Sequence, residues 1–231
     1  MQRVACVIPA YDAARTLASV IRGLRAAVPD AITVVVNDGS RDDTRAAADQ
    51  WADVAVHLAH NRGKGAALRA GFAIALDAGA TAILTIDADG QHDPACAPRL
   101  LAALTDADVV IGTRERRGSA MPMHRRVSNA VSAAAISACA GLRLADSQSG
   151  YRAMRAAVLA RVAPAGDRYE YETDFLIQAA RDGFRIAGVP VPTIYGAPSH
   201  FRVLRDAARV VRTICRRLPF AMLPAASAPA K

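Results

Sequence analysis

Short apolar runs alternate with helical patterns along the first half of the chain. Residues 4–8, 32–36, 54–58, 82–86 and 109–113 are runs of five mostly apolar or β-branched residues, the pattern of strands buried on both faces. Between them, residues 15–27, 42–51 and the stretch from the Asn61-Arg62-Gly63-Lys64-Gly65 turn to Ala78 follow a helical pattern, with Ser40 as an N-cap for the second. This alternation predicts an α/β fold, a mainly parallel, Rossmann-related sheet flanked by helices on both faces. Further along, residues 122–140 predict a helix, 149–154 an extended segment, 172–182 a helix and 185–191 a strand. No repeat or linker interrupts the pattern, so residues 1–200 form one domain. Residues 201–218 are then expected to form a basic amphipathic helix, and 219–231 a flexible Pro/Ala-rich tail.

The polar residues that break this pattern fall at the predicted strand ends. They are Pro9-Ala10-Tyr11-Asp12, Asn37-Asp38-Gly39-Ser40, Asp87-Ala88-Asp89 and Thr113-Arg114. In open α/β sheets ligands bind outside the carboxyl ends of strands, so four such clusters point to one crevice. The densest is TIDADGQHDP, residues 85–94. If it stays extended, Asp87 and Asp89 lie on one side, because residues i and i+2 point the same way. Gln91 adds a neutral oxygen. Hard oxygen donors of this kind suit Mg2+ or Mn2+, which keep several waters and share substrate phosphates. Asp93-Pro94 reads instead as a helix start, an N-cap with Pro at the first helical position. The Asn61–Gly65 turn lacks the spacing of a P-loop, though glycines opening a helix can cradle an anion.

Composition narrows the partners. The 29 basic against 21 acidic residues give a net charge of +8, which favours ligands carrying phosphate: a nucleotide, an anionic lipid surface or nucleic acid. Aromatics are only 5% and do not interleave with the basic residues, which argues against nucleic acid. The four cysteines are far apart, so neither a zinc site nor a disulfide scaffold is expected. No apolar run reaches the ~18–20 residues that span a bilayer, and no signal peptide is expected at the N-terminus. The expected location is cytoplasmic, peripheral at the inner face of the cell membrane.

Six motifs occur in order: VIPAYDA (7–13), VVVNDGSRDDT (34–44), NRGKGAALRAGF (61–72), TIDADGQHDP (85–94), IGTR (111–114) and DSQSGYRAMR (146–155). Together they resemble the inverting glycosyltransferases of family 2, which have the GT-A fold. Within that family the likeness is to the polyprenyl-phosphate branch that includes dolichol-phosphate mannose synthase. The resemblance implies a GDP- or UDP-linked sugar as donor. Pro9, Tyr11 and Asp38 would line its base and ribose pocket, and Asp87 and Ala88 would touch the ribose and diphosphate region. Asp89 and Gln91 would hold the metal, and Arg114 would meet phosphate. The chain departs from the family at Ala13, where Glu is frequent, and at Ser199-His200, where a Ser-Lys pair is frequent.

On the acceptor side, Arg125 and Arg126 stand beside Ser128 at a predicted helix start, and Arg152 follows Ser149-Gly150-Tyr151. Guanidinium forks bind phosphate bidentately. In the branch this chain resembles, an Arg/Ser set receives polyprenyl phosphate, and Arg126, Ser128 and Arg152 fill those positions. Glu172 sits where the family carries an acidic motif opening a helix. For a hydroxyl acceptor Glu172 or Asp174 would act as general base, and for a phosphate acceptor Glu172 would position neighbouring groups. Asp89, Arg114 and Glu172 are thus the candidates for catalytic roles. Arg202, Arg205, Arg209, Arg212 and Arg216 recur every three or four residues, one basic stripe suited to an anionic bilayer or to solvent. Two alternatives stay open: transfer to a soluble hydroxyl acceptor, and nucleotide-sugar binding without catalysis.

Overall fold

A computed structural model describes residues 3–114, 149–192, 194, 212–213 and 216–217, with residue 114 by its backbone. The elements are β1 (Val4–Ala10), α1 (Leu17–Ala27), β2 (Ile32–Asn37), α2 (Thr44–Trp51), β3 (Val54–His57), α3 (Lys64–Asp77), β4 (Ala82–Thr85), α4 (Ala97–Ala102), β5 (Val109–Arg114), β6 (Arg152–Arg155), α5 (Ala156–Arg161), α6 (Glu170–Arg181) and β7 (Ile186–Val191). The strands make one seven-stranded sheet in the order β3-β2-β1-β4-β6-β5-β7. β6 runs antiparallel to both its neighbours, and the other pairs are parallel.

The apolar runs become strands because both faces of the sheet are covered. In β1, Val4, Cys6 and Ile8 join a core with Leu17 and Leu24 of α1 and Leu100 of α4. Ala5 and Val7 point the other way, to a core with Leu68 and Phe72 of α3 and Phe175 of α6. The alanine-rich composition has a use here. A Cβ on Gly71 would collide with Cγ1 of Val7 and lie 3.2 Å from Cγ2 of Val36, so α3 lies almost directly on β1 and β2. Gly71→Val should therefore cost about 1–3 kcal/mol through overpacking, read as a lower midpoint in urea unfolding.

Asp93 starts the predicted helical segment: its carboxylate accepts the Ala95 N–H at 2.9 Å, with Pro94 next. Ser40 does not cap α2, which Asp43 precedes instead. Its hydroxyl accepts the Asp12 N–H at 3.0 Å, and Asp42 accepts the Ala14 N–H at 3.0 Å, so the loop after β2 is stitched to the loop after β1. α6 begins two residues earlier than predicted, and the short helices α4 and α5 carry too few turns to show a periodicity. The predicted helix 122–140 with Arg125, Arg126 and Ser128, most of 201–218, and the tail 219–231 lie outside the described residues, as do the domain limits proposed there.

Candidate active site

Topology gathers the polar clusters on one edge. β2, β1 and β4 are adjacent and parallel, so Asn37 and Ala10 end side by side while Thr85 ends beside Val7, and the β4 loop continues past the same edge. β6 returns in the opposite direction, which sets its first residue, Arg152, opposite Thr85 of β4 and Ile111 of β5. Chain order reverses between β1 and β4, the place where an α/β sheet opens a ligand crevice.

Immediately beyond β4 the chain turns rather than staying extended, with Gly90 at φ +73°. The two aspartates consequently take different partners. Asp87 Oδ1 meets Lys64 Nζ at 2.6 Å, and the same ammonium meets Glu172 Oε2 at 3.0 Å. Glu172 Oε1 faces Arg152 Nη2 at 3.7 Å, and Arg152 also donates to the carbonyls of Ser149 and Glu172, at 2.8 and 3.2 Å. Arg152 and Glu172 are both buried. Lys64, at the start of α3, thus ties the β4 loop to the start of α6. Burial opposes its charge, but Asp87 and Glu172 raise its pKa above the ordinary lysine value. Burial likewise opposes ionisation of Asp87, yet Lys64, His92 and Arg152 lower its pKa. Asp89 is shifted the other way, upward, by burial and then by the charge of Asp87. Its Oδ1 accepts the Gln91 N–H at 3.0 Å, which fixes its direction.

The donor-side residues are held mainly through backbone. Asp38 is 3% exposed and accepts the N–H groups of Arg62 and Gly63 at 2.7 and 2.8 Å. Burial raises its pKa, and those two N–H groups partly offset the shift. The glycine-rich turn does cradle an anion, then, and the anion is the protein's own Asp38. Pro9 lies within β1 beyond its pairing with β4, and Tyr11 directly follows the strand, half-buried. The Ala88 carbonyl accepts from Thr16 Oγ1 at 2.5 Å, locking the β4 loop to the start of α1. His92 is buried with its ring 5.3 Å from that of Tyr151.

The structure brings Asp87, Asp89, Gln91, Arg152 and Glu172 to one edge with Asp38 and Tyr11. For Arg114 it gives the backbone, at the end of β5 on that edge. Sequence reasoning left Lys64 without a role. A signal was present: a lysine in the first turn of a helix opposes the macrodipole, and this turn holds no acid of its own. Such a lysine calls for an anion from elsewhere. Small residues let that anion approach, since a Cβ on Gly65 would lie 2.6 Å from the Tyr171 Cβ.

A divalent cation suits this donor set. Asp89 and Gln91 offer one carboxylate and one amide oxygen, and the repulsion between Asp87 and Asp89 is only partly answered by Lys64. Among the described residues no group of three or more His, Cys, Asp or Glu could hold a metal by itself. Protein ligation this sparse would leave room for substrate phosphates on Mg2+ or Mn2+.

The model of glycosyl transferase family 2 matches residues 5–163. An undecaprenyl-phosphate mannosyltransferase of Micrococcus luteus is 37% identical over 200 residues, covering 82% of each chain. A polyprenol monophosphomannose synthase of Mycolicibacterium smegmatis is 33% identical over 203 residues, covering 82% of this chain and 77% of that one. Among solved structures, glucosyl-3-phosphoglycerate synthase of Mycobacterium tuberculosis, crystallised with Mn2+, UDP and phosphoglyceric acid, superposes with a TM-score of 0.75 at 22% identity, over 94% of this chain and 78% of that one. The fold is therefore the GT-A fold expected from the motifs.

Proposed function

The chain belongs to glycosyl transferase family 2, and from that premise we propose that it moves a sugar from a nucleoside-diphosphate sugar to a polyprenyl phosphate, with inversion. The observation that carries the choice of acceptor is the state of Glu172. Its carboxylate is buried, with one oxygen on Lys64 and the other toward Arg152. A general base must present a proton-accepting atom to the acceptor, and this geometry presents the carboxylate to two cations instead. Asp174 is engaged on the far side of α6 by Arg217, Gln178 and the Ala165 N–H. An ionised phosphate oxygen needs no base at all.

The donor would sit along the edge from Tyr11 and Asp38 to Asp87 and Ala88. Mg2+ or Mn2+ held by Asp89 and Gln91 would neutralise charge growing on the departing diphosphate. Arg114, Arg126 and Ser128 would receive the acceptor phosphate, with Arg152 adding charge behind them while it orients Glu172. The phosphate oxygen attacks the anomeric carbon opposite the leaving group. The sugar–oxygen bond to the diphosphate breaks, its electron pair leaves with the nucleoside diphosphate, and no proton moves.

The acceptor's lipid calls for a membrane surface, and Arg217 bears on that. Its Nε and Nη2 reach Asp174 at 2.7 and 3.1 Å, while Arg212 and Arg216 are exposed. We read Arg217 as anchored on α6, with the exposed Arg212 and Arg216 offered to anionic lipid. Among the described residues no helix is long and apolar enough to cross a membrane. The test is to incubate purified protein with GDP- and UDP-sugars, Mn2+ and polyprenyl phosphate in detergent, against soluble glycan acceptors. Sugar should appear on the lipid phosphate, and only when metal is present. Transfer confined to the soluble hydroxyl acceptors would overturn the proposal.

A further inference from the structure

Lys64 belongs to the one quoted motif to which neither the resemblance nor the transfer chemistry assigns a role. Its ammonium joins two carboxylates from distant parts of the chain, Asp87 at 2.6 Å and Glu172 at 3.0 Å. The junction is close-packed: a Cβ on Gly150 would stand 2.6 Å from both Lys64 Nζ and Asp87 Oδ1. Arg152 closes the other side of Glu172. We infer that Lys64 selects the acceptor class, by holding the Glu172 carboxylate on the ammonium it shares with Asp87 and so withholding a general base from the site. The inference rests on the proposed transfer to an ionised phosphate.

Two competing steps differ in one proton. Attack by a phosphate oxygen forms the new sugar–oxygen bond and releases nucleoside diphosphate with no proton to place. Attack by water or a sugar hydroxyl forms the same bond, but the attacking oxygen must lose its proton, and Glu172 is the carboxylate of this edge to which the proposed donor and metal contacts give no other task. Held on Lys64 and Arg152, it does not take that proton. Lys64 acts here through Glu172 and Asp87, as a positioning residue that suppresses wasteful hydrolysis of the donor.

The experiment measures two rates in the same protein: transfer to polyprenyl phosphate, and hydrolysis of the nucleotide sugar without acceptor. In wild type the ratio of hydrolysis to transfer should be low. Lys64→Met should lower transfer about 10²-fold, because Asp87 loses its anchor. Hydrolysis should fall far less or rise, so the ratio increases by about tenfold or more, in line with a released general base. Adding Glu172→Gln to Lys64→Met should bring the ratio back toward wild type, and Lys64→Arg should keep it low. A structural role alone predicts equal losses of both rates in Lys64→Met and no reversal in the double variant, and that result would overturn the inference. Should Lys64→Met fail to fold by circular dichroism, Glu172→Gln alone decides. A loss of about tenfold or less in both rates supports the inference, and a loss of about 10³-fold in both identifies Glu172 as a working base and ends it. Absence of wild-type transfer to polyprenyl phosphate, with hydrolysis intact, instead strikes the proposed function on which it rests.

Discussion

Asp89→Asn should lose metal-dependent donor binding and about 10³-fold in kcat/KM. The change keeps shape and removes charge. Asp89 lies one turn beyond β4, aimed by the Gln91 N–H at 3.0 Å, and its carboxylate stands close enough to Asp87 for the two charges to oppose each other. A site of one carboxylate and one amide has little charge to spare for a divalent ion. Neutralising it removes several kcal/mol of the stabilisation a metal gives to a developing diphosphate, and each ~1.36 kcal/mol is a factor of ten in rate. Calorimetric titration of UDP and GDP with and without Mn2+ checks the binding half. Wild type should bind one of them tightly only when metal is present, and the variant should bind weakly in both conditions. Metal-dependent binding of equal strength in the variant would move the metal elsewhere on the edge.

Gly150→Ala should be nearly as damaging, about 10²-fold in kcat/KM, although Gly150 has no side chain to contribute. The new methyl would lie 2.6 Å from both Asp87 Oδ1 and Lys64 Nζ, far inside contact distance. The backbone has little freedom to retreat. The Gly150 carbonyl accepts from Thr85 Oγ1 at 2.8 Å, and the Ser149 carbonyl accepts from Arg152 Nε at 2.8 Å. What yields is therefore the ion pair, and with it the direction of Asp87 toward the proposed donor. Global stability should fall by only about 1–3 kcal/mol, so the folded variant can be assayed. Kinetics alongside thermal unfolding separate the two effects. Near-wild-type rates in a folded variant would mean that the Asp87–Lys64 pair can move without consequence.

Much of this protein is legible along the chain. β1, β2, β4 and β5 were predicted within two residues of their limits, because a strand buried on both faces is apolar almost throughout and needs no partner's identity to be recognised. The Asp93-Pro94 start is local too, a carboxylate reaching an N–H two residues away. The six ordered motifs gave the family and its fold, and the polar clusters after the apolar runs put Asp38, Asp87 and Asp89 just past strand ends. The chain did not disclose which way β6 runs, nor that it enters the sheet between β4 and β5, since direction is a property of pairing. It gave no role to Lys64 and left Glu172 with two. It left the course of Asp87-Ala88-Asp89 conditional on an extended chain, and a turn through Gly90 sends the carboxylates to different partners. Ser40, a cap by composition, spends its hydroxyl on Asp12 across a neighbouring loop. Periodicity and capping are decided within a few residues, so sequence determines them. Where a charge finds its counter-charge depends on which distant segments the sheet brings together, and only the tertiary structure decides that.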